Sequence, residues 1–121
     1  MGQPTKLPAR VWVLVDCGQD DPGEDAVSAY VIGDIRVTDA AQYETYVPPA
    51  LATITQYGGR VLAAGPTLEL LDGGPSPERT VIVEFPDAAA ARRWYRSPEY
   101  QAALPIRLRS SQGRVFLIEG M

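Results

Sequence analysis

The chain has 121 residues, 45% hydrophobic and 21% charged, which suits one ordinary globular domain and leaves no room for a second core. Fifteen acidic residues against eleven basic ones give a net charge of −4 and a surface that repels nucleic-acid phosphates. With no histidine and a single cysteine, Cys17, the sequence excludes Ser-His-Asp and Cys-His machinery, an internal disulfide, and imidazole or multi-cysteine metal centres. An acid–base enzyme built from this chain must use carboxylates, tyrosines, lysine or arginine. No cofactor and no metal are expected, and no spaced run of acidic ligands reads as a Mg or Ca site.

Residues 1–9 are polar and contain Pro4 and Pro8, which suggests a loosely attached segment. Arg10–Asp16 (RVWVLVD) has strand composition. Its apolar run, Val11–Val15, is too short for a signal peptide, and no segment reaches membrane-spanning length. A cytoplasmic protein without membrane or nucleic-acid partners is expected. Cys17 lacks a base in its sequence neighbourhood and reads as an unreactive thiol. Gly18–Asp25 is acidic and contains Gly and Pro, as loops do.

Ala29–Val37 (AYVIGDIRV) is the next predicted strand. Asp39 is a good N-cap, and Gln42 three residues later has the spacing of a capping box. Tyr43, Val47, Ala50 or Leu51, Ile54 and Tyr57 recur at helical spacing. Pro48-Pro49 should kink that helix, with a second segment starting at Pro49, because proline donates no backbone hydrogen bond and crowds the preceding turn. Gly58-Gly59 supplies the left-handed cap. Arg60–Ala64 and Thr67–Leu71 read as strand, Asp72–Pro77 as turn, and Arg79–Phe85 (RTVIVEF) as strand. Asp87 caps a helix over Ala88–Arg96. Ser97-Pro98 starts another through Leu104, which Pro105 should divide from a last turn reaching Ser110. Gly113 precedes a final strand, Arg114–Glu119.

From Ala29 onward this order is β-α-β-β-α-β, the split βαβ or ferredoxin-like motif: an α+β domain over residues 29–121, with residues 1–28 as an extension carrying one added strand. An antiparallel sheet of this kind is covered by helices on one face only. A second copy usually covers the other face, which gives a homodimer with a barrel-like interior.

The segments Tyr57-Gly58-Gly59-Arg60, Glu84-Phe85-Pro86 and Trp94-Tyr95-Arg96-Ser97-Pro98-Glu99-Tyr100-Gln101, with Ala29–Val37 and Pro77-Glu78-Arg79, occur together in order and spacing. From about Ala29 to Gly120 the chain resembles the domain of unknown function 1330 family. That family is similar to the dimeric α+β barrel superfamily, which includes cofactor-free monooxygenases of antibiotic biosynthesis, muconolactone-type isomerases, decarboxylases and cyclases. The family usually carries Arg at the position of Ala64 and Gly at the position of Pro66. The methyl of Ala64 leaves space, so the resemblance implies a bulkier and less anionic ligand than a typical relative takes.

Strand alternation sorts the candidate site residues. Ala29, Val31, Gly33, Ile35 and Val37 belong under the helices, which turns Tyr30, Ile32, Asp34 and Arg36 toward the other face. By the same rule Thr80, Ile82 and Glu84, then Arg60, Leu62 and Ala64, then Phe116 and Ile118, point to that face. Asp34 and Glu84 become a candidate carboxylate pair in which repulsion keeps one proton on, suited to donating and accepting protons in one cycle. Arg60 or Arg36 is placed to stabilise an enolate. Tyr30, Tyr43 and Tyr46 are candidate phenol donors, and Leu62, Ala64, Ile82, Trp94 and Phe116 candidate walls. Ion pairing that fixes strand register explains Asp34, Glu84 and Arg60 equally well, and core packing explains Tyr43 and Trp94. The expected function is a cofactor-independent enzyme of secondary metabolism, acting on a small natural-product-like molecule by cyclisation, isomerisation or dehydration. The alternatives are a cofactor-free monooxygenase and a non-catalytic binding dimer.

Overall fold

The computed structural model describes residues 27–121. The expected strand Arg10–Asp16, with Trp12 and Cys17, lies outside them. Four strands, β1 (Ala29–Val37), β2 (Arg60–Pro66), β3 (Arg79–Phe85) and β4 (Ser111–Glu119), form one antiparallel sheet in the order β2-β3-β1-β4. Helices α1 (Ala40–Gln56), α2 (Ala88–Arg96) and α3 (Pro98–Ser110) form the second layer. This is the ferredoxin-like α+β architecture. No helix among the described residues is long and apolar enough to cross a membrane.

Local chemistry sets the boundaries. The Asp39 side chain accepts from the Gln42 N–H at 3.1 Å, Asp87 from the Ala90 N–H at 2.7 Å, and Ser97 from the Tyr100 N–H at 3.1 Å. Each such cap stabilises its helix by about 1 kcal/mol. The capping box at Asp39 closes on one side only. The Asp39 N–H donates to the Ser110 carbonyl, and the Gln42 amide oxygen is taken by Arg109 Nε at 3.0 Å. A tertiary contact with α3 outcompetes the local one. Gly58 (φ +86°) ends α1 as expected.

Both proline breaks are corrected. Helix α1 runs unbroken through Pro48-Pro49 and α3 through Pro105. All three prolines are exposed, so the strain of each falls on the solvent side of its helix rather than in the core. Thr67–Leu71 is not a strand. Only Thr67 is tied to the far side of the loop, through the Glu78 and Pro77 carbonyls, and Leu68 stands 99% exposed. Strand β4 starts three residues early, at Ser111, and carries Gly113 within it at φ +140°. A Cβ there would lie 2.0 Å from the Asp34 carbonyl oxygen, so only glycine lets β1 and β4 approach this closely.

The core between the layers follows the predicted alternation: Val31, Ile35, Val83 and Phe85 from the sheet, and Tyr46, Ala50, Ile54, Ala91, Trp94 and Tyr100 from the helices. Trp94 stacks against Tyr100 and Phe85, with ring centroids 4.2 and 5.4 Å apart. Its indole N–H donates to Thr53 Oγ1 at 3.0 Å, so the polar end is satisfied inside the core.

Candidate active site under the helical layer

The two faces of the sheet differ in chemistry. On the face that none of the described helices covers, side chains form rows across the strands. One row joins Arg60, Glu84, Tyr30 and Ile118. The next joins Ala63, Ile82, Ile32 and Phe116, and a third joins Thr80, Asp34 and Arg114. Arg60 Nε donates to Glu84 Oε1 at 2.8 Å, and the Tyr30 hydroxyl to Glu84 Oε2 at 3.2 Å. These two donors, Arg60 foremost, hold the Glu84 carboxyl below its ordinary pKa. Burial and the neighbouring carboxylate push the Tyr30 phenol up. Asp34 pairs with Arg114 at 3.6 Å, and Arg36 donates to Gln112 Oε1 at 2.7 Å.

The anticipated carboxylate pair does not meet. Glu84 stands opposite Tyr30 and Asp34 opposite Thr80, four residues further along β1. At roughly 3.3 Å per residue that is about 13 Å along the strand. Each carboxylate has its own cation, and Glu84 is held ionised rather than protonated.

An apolar cavity lies on the opposite side, between sheet and helices. It is a cavity of about 100 Å³, open to solvent on one side. Its exposed lining residues, Leu51 of α1 and Val61 and Ala64 of β2, mark the mouth. The opening exists because β2 is exposed along most of its length, beyond the reach of the helical layer. A bulge between Val61 and Ala63 moves Ala64 here. Ala63 pairs with Ile82, and Ala64 with the inward Val81. Alternation alone put Ala64 on the open face, and that placement is corrected. Leu62 is left at the bulge, exposed.

Of the candidate site residues, Tyr43, Tyr46, Ala64 and Trp94 line this cavity. Tyr30, Asp34, Arg36, Arg60, Ile82, Glu84 and Phe116 belong to the other face. The Tyr46 and Tyr100 hydroxyls are hydrogen-bonded at 2.8 Å, and burial, then Tyr100, pushes the Tyr46 phenol far above its ordinary value. In any such pair one O–H is donated to its neighbour and the second remains free to donate elsewhere.

Two lining residues were missed in the sequence, Arg79 and Arg107. Arg107 is only 8% exposed, its guanidinium lies against the Tyr100 hydroxyl, and its Nε is buried without a partner. Arg79 Nε is likewise buried and unpartnered. Among the described residues neither guanidinium has an ion-pair partner, and no Asp or Glu lines the cavity. The signals were present. Arg79 shares strand parity with Val81, Val83 and Phe85, and Arg107 continues the helical spacing from Tyr100 and Ala103. Reading Pro105 as a break hid the second.

The model for the domain of unknown function DUF1330 matches residues 28–121. The chain belongs to the DUF1330 family. No curated protein matches it in sequence. Among solved structures, RPA0582 of Rhodopseudomonas palustris, a protein of unknown function, is 19% identical with a TM-score of 0.67, covering 80% of this chain and 85% of that one. SnoaB, a cofactor-independent oxygenase from Streptomyces nogalater, is 16% identical with a TM-score of 0.60, covering 79% and 95%. A dimeric ferredoxin-like protein of unknown function from Thermobifida fusca is 18% identical with a TM-score of 0.58, covering 79% and 93%. At these identities the DUF1330 chain and the three proteins share a fold; chemistry has to be argued from the site.

Proposed function

We propose that this DUF1330 protein is a cofactor-independent enzyme that binds a small, natural-product-like organic molecule under its helices and moves protons on it. The observation that carries this reading is the cavity itself: apolar walls, a hydrogen-bonded phenol pair at Tyr46 and Tyr100, and guanidinium groups aimed inward. A phenol that stays protonated at neutral pH is a hydrogen-bond donor, and beside a cation in a low-dielectric site it stabilises an enolate oxygen as charge develops, while the proton leaving carbon passes to water admitted through the mouth. An enolate reprotonated at another carbon gives isomerisation; one that expels hydroxide or attacks a carbonyl gives dehydration or cyclisation. Asp34, Glu84 and Arg60 then fix strand register and the contact between copies.

Enolisation leaves a direct trace. Candidate enolisable ketones and phenols are incubated with the protein in heavy water, and exchange of the acidic C–H is followed by NMR. Saturable acceleration is expected, lost in Tyr46→Phe and retained in Asp34→Asn and Glu84→Gln. Loss in the carboxylate variants instead, with the fold intact, would return the chemistry to the open face. Binding without acceleration would leave a non-catalytic binding protein.

A cofactor-free monooxygenase is the second reading. It is favoured by a cavity that stabilises an anion without supplying a carboxylate base, which suits a substrate acidic enough to ionise there and react with oxygen itself. In that reaction a substrate methylene and one molecule of dioxygen give a carbonyl and one molecule of water. The carbon is oxidised, one oxygen atom stays on it, and the other leaves with both methylene hydrogens. Oxygen uptake stoichiometric with substrate loss distinguishes it.

We also infer a two-fold homodimer through the open sheet faces. The row Ile32, Ile82 and Phe116, with Ile118 of the adjacent row, exposes apolar surface, Phe116 at 42% and Ile118 at 45%, and the Thermobifida fusca protein is described as dimeric. Light scattering on a sizing column tests it; a monomer at micromolar concentration rejects it.

A further inference from the structure

Among the described residues, the cavity is charged in one sense only. Arg79 stands opposite Ile35, near the end of β1. Arg107 sits in the last turn of α3, three residues before Ser110, whose carbonyl accepts the Thr38 and Asp39 N–H groups where β1 passes into α1. Topology therefore brings both guanidinium groups to one end of the cavity. Both keep a buried Nε without an acceptor, and no described carboxylate answers them. Guanidinium does not deprotonate in proteins, so Arg107 cannot shed its charge on burial as a lysine can. A desolvated cation without a counter-charge is strongly unfavourable unless something negative arrives. The fold instead keeps Arg107 more than nine-tenths buried, against a phenol hydroxyl and an otherwise apolar wall.

We propose that the Arg79–Arg107 end of the cavity binds a planar oxyanion, a carboxylate or the enolate of a 1,3-dicarbonyl, carried on a small flat apolar body. This rests on the cavity as the ligand site and adds the charge and shape of what enters. A guanidinium offers parallel N–H donors that match two coplanar oxygens, and the free Nε groups are donors in waiting. The cavity volume of about 100 Å³ limits the buried part to less than a full ring, since roughly 150 Å³ holds benzene in a dry protein cavity. Anything larger has to extend through the mouth past Leu51 and Ala64. Ala64 lies at the mouth, and this chain supplies positive charge from β3 and α3, so an anionic ligand is compatible with the absence of arginine at position 64.

The test uses the full chain and four probes of similar size: benzoate and its neutral isostere benzamide, and 1,3-cyclohexanedione, ionised at neutral pH, beside neutral cyclohexanone. Binding is measured by calorimetry on the wild type, Arg79→Met and Arg107→Met, with near-UV circular dichroism as the check on fold. Both anions are expected to bind at least tenfold tighter than their neutral partners, with that preference lost in either variant. Benzoate alone binding names the carboxylate as the source, and the dione alone names the enolate. The wild-type comparison needs no variant, so a misfolded variant leaves it decisive. Equal affinity for benzoate and benzamide, both abolished by Ala64→Trp at the mouth, overturns the anion and spares the cavity. No saturable binding of any probe overturns both.

Discussion

Replacing Arg107 by Met should leave the fold as stable as before or more so, while removing the affinity for anions. Met has nearly the same length and keeps the aliphatic contact with the α3 side of the core. The substitution relieves an orphaned Nε, worth roughly 1–3 kcal/mol of desolvation. It also removes a buried charge, and apolar replacement of buried ionic groups is often neutral or stabilising by roughly 1–4 kcal/mol. Against this stands the favourable end of the α3 dipole, about 0.3–1 kcal/mol. With the orphaned Nε counted within the buried-charge figure, the difference falls between zero and about 4 kcal/mol in favour of Met. Urea unfolding followed by tryptophan fluorescence should give an unchanged or higher midpoint with the same slope. A loss above about 2 kcal/mol at unchanged slope would show that the folded chain itself uses the cation. The case for an external anion would then fail.

Other parts of the molecule can be tested in the same way. Gly113→Ala should cost at least about 2 kcal/mol in the same unfolding assay, because its backbone lies at φ +140° and the new methyl collides with the Asp34 carbonyl; a loss under about 0.5 kcal/mol would mean the β1–β4 ladder shifts freely. Ala64→Arg should weaken ligand binding at least tenfold with little effect on stability, since the residue lies at an exposed mouth, and unchanged binding would place the ligand elsewhere. Arg60→Gln should raise the Glu84 pKa toward its ordinary value, read by carboxyl NMR titration. Because the folded Glu84 pKa lies below the unfolded one, its contribution is complete above the unfolded pKa of about 4.3 and disappears as pH falls through the folded value. The Arg60→Gln variant should lose that part of the acid limb, and an unmoved titration would refute the pairing.

The sequence by itself determined the order of elements, the capping residues Asp39, Asp87 and Ser97, and the parity that puts Val31, Ile35, Val83 and Phe85 inside. These are local matters, decided by spacing and by a few neighbouring donors and acceptors. Tertiary structure decided three things that no local rule contains. Whether a proline breaks a helix depended on the face it occupies, and Pro48, Pro49 and Pro105 all stand on exposed faces. The bulge at Leu62 reversed the side taken by Ala64, because pairing with β3 rather than alternation within β2 sets that register. Asp34 and Glu84 share a face but stand four residues apart, while Arg79 and Arg107, 28 positions apart in the chain, reach one cavity. Parity tells which side of a sheet a residue takes. Only the packed register tells which residues on that side can touch.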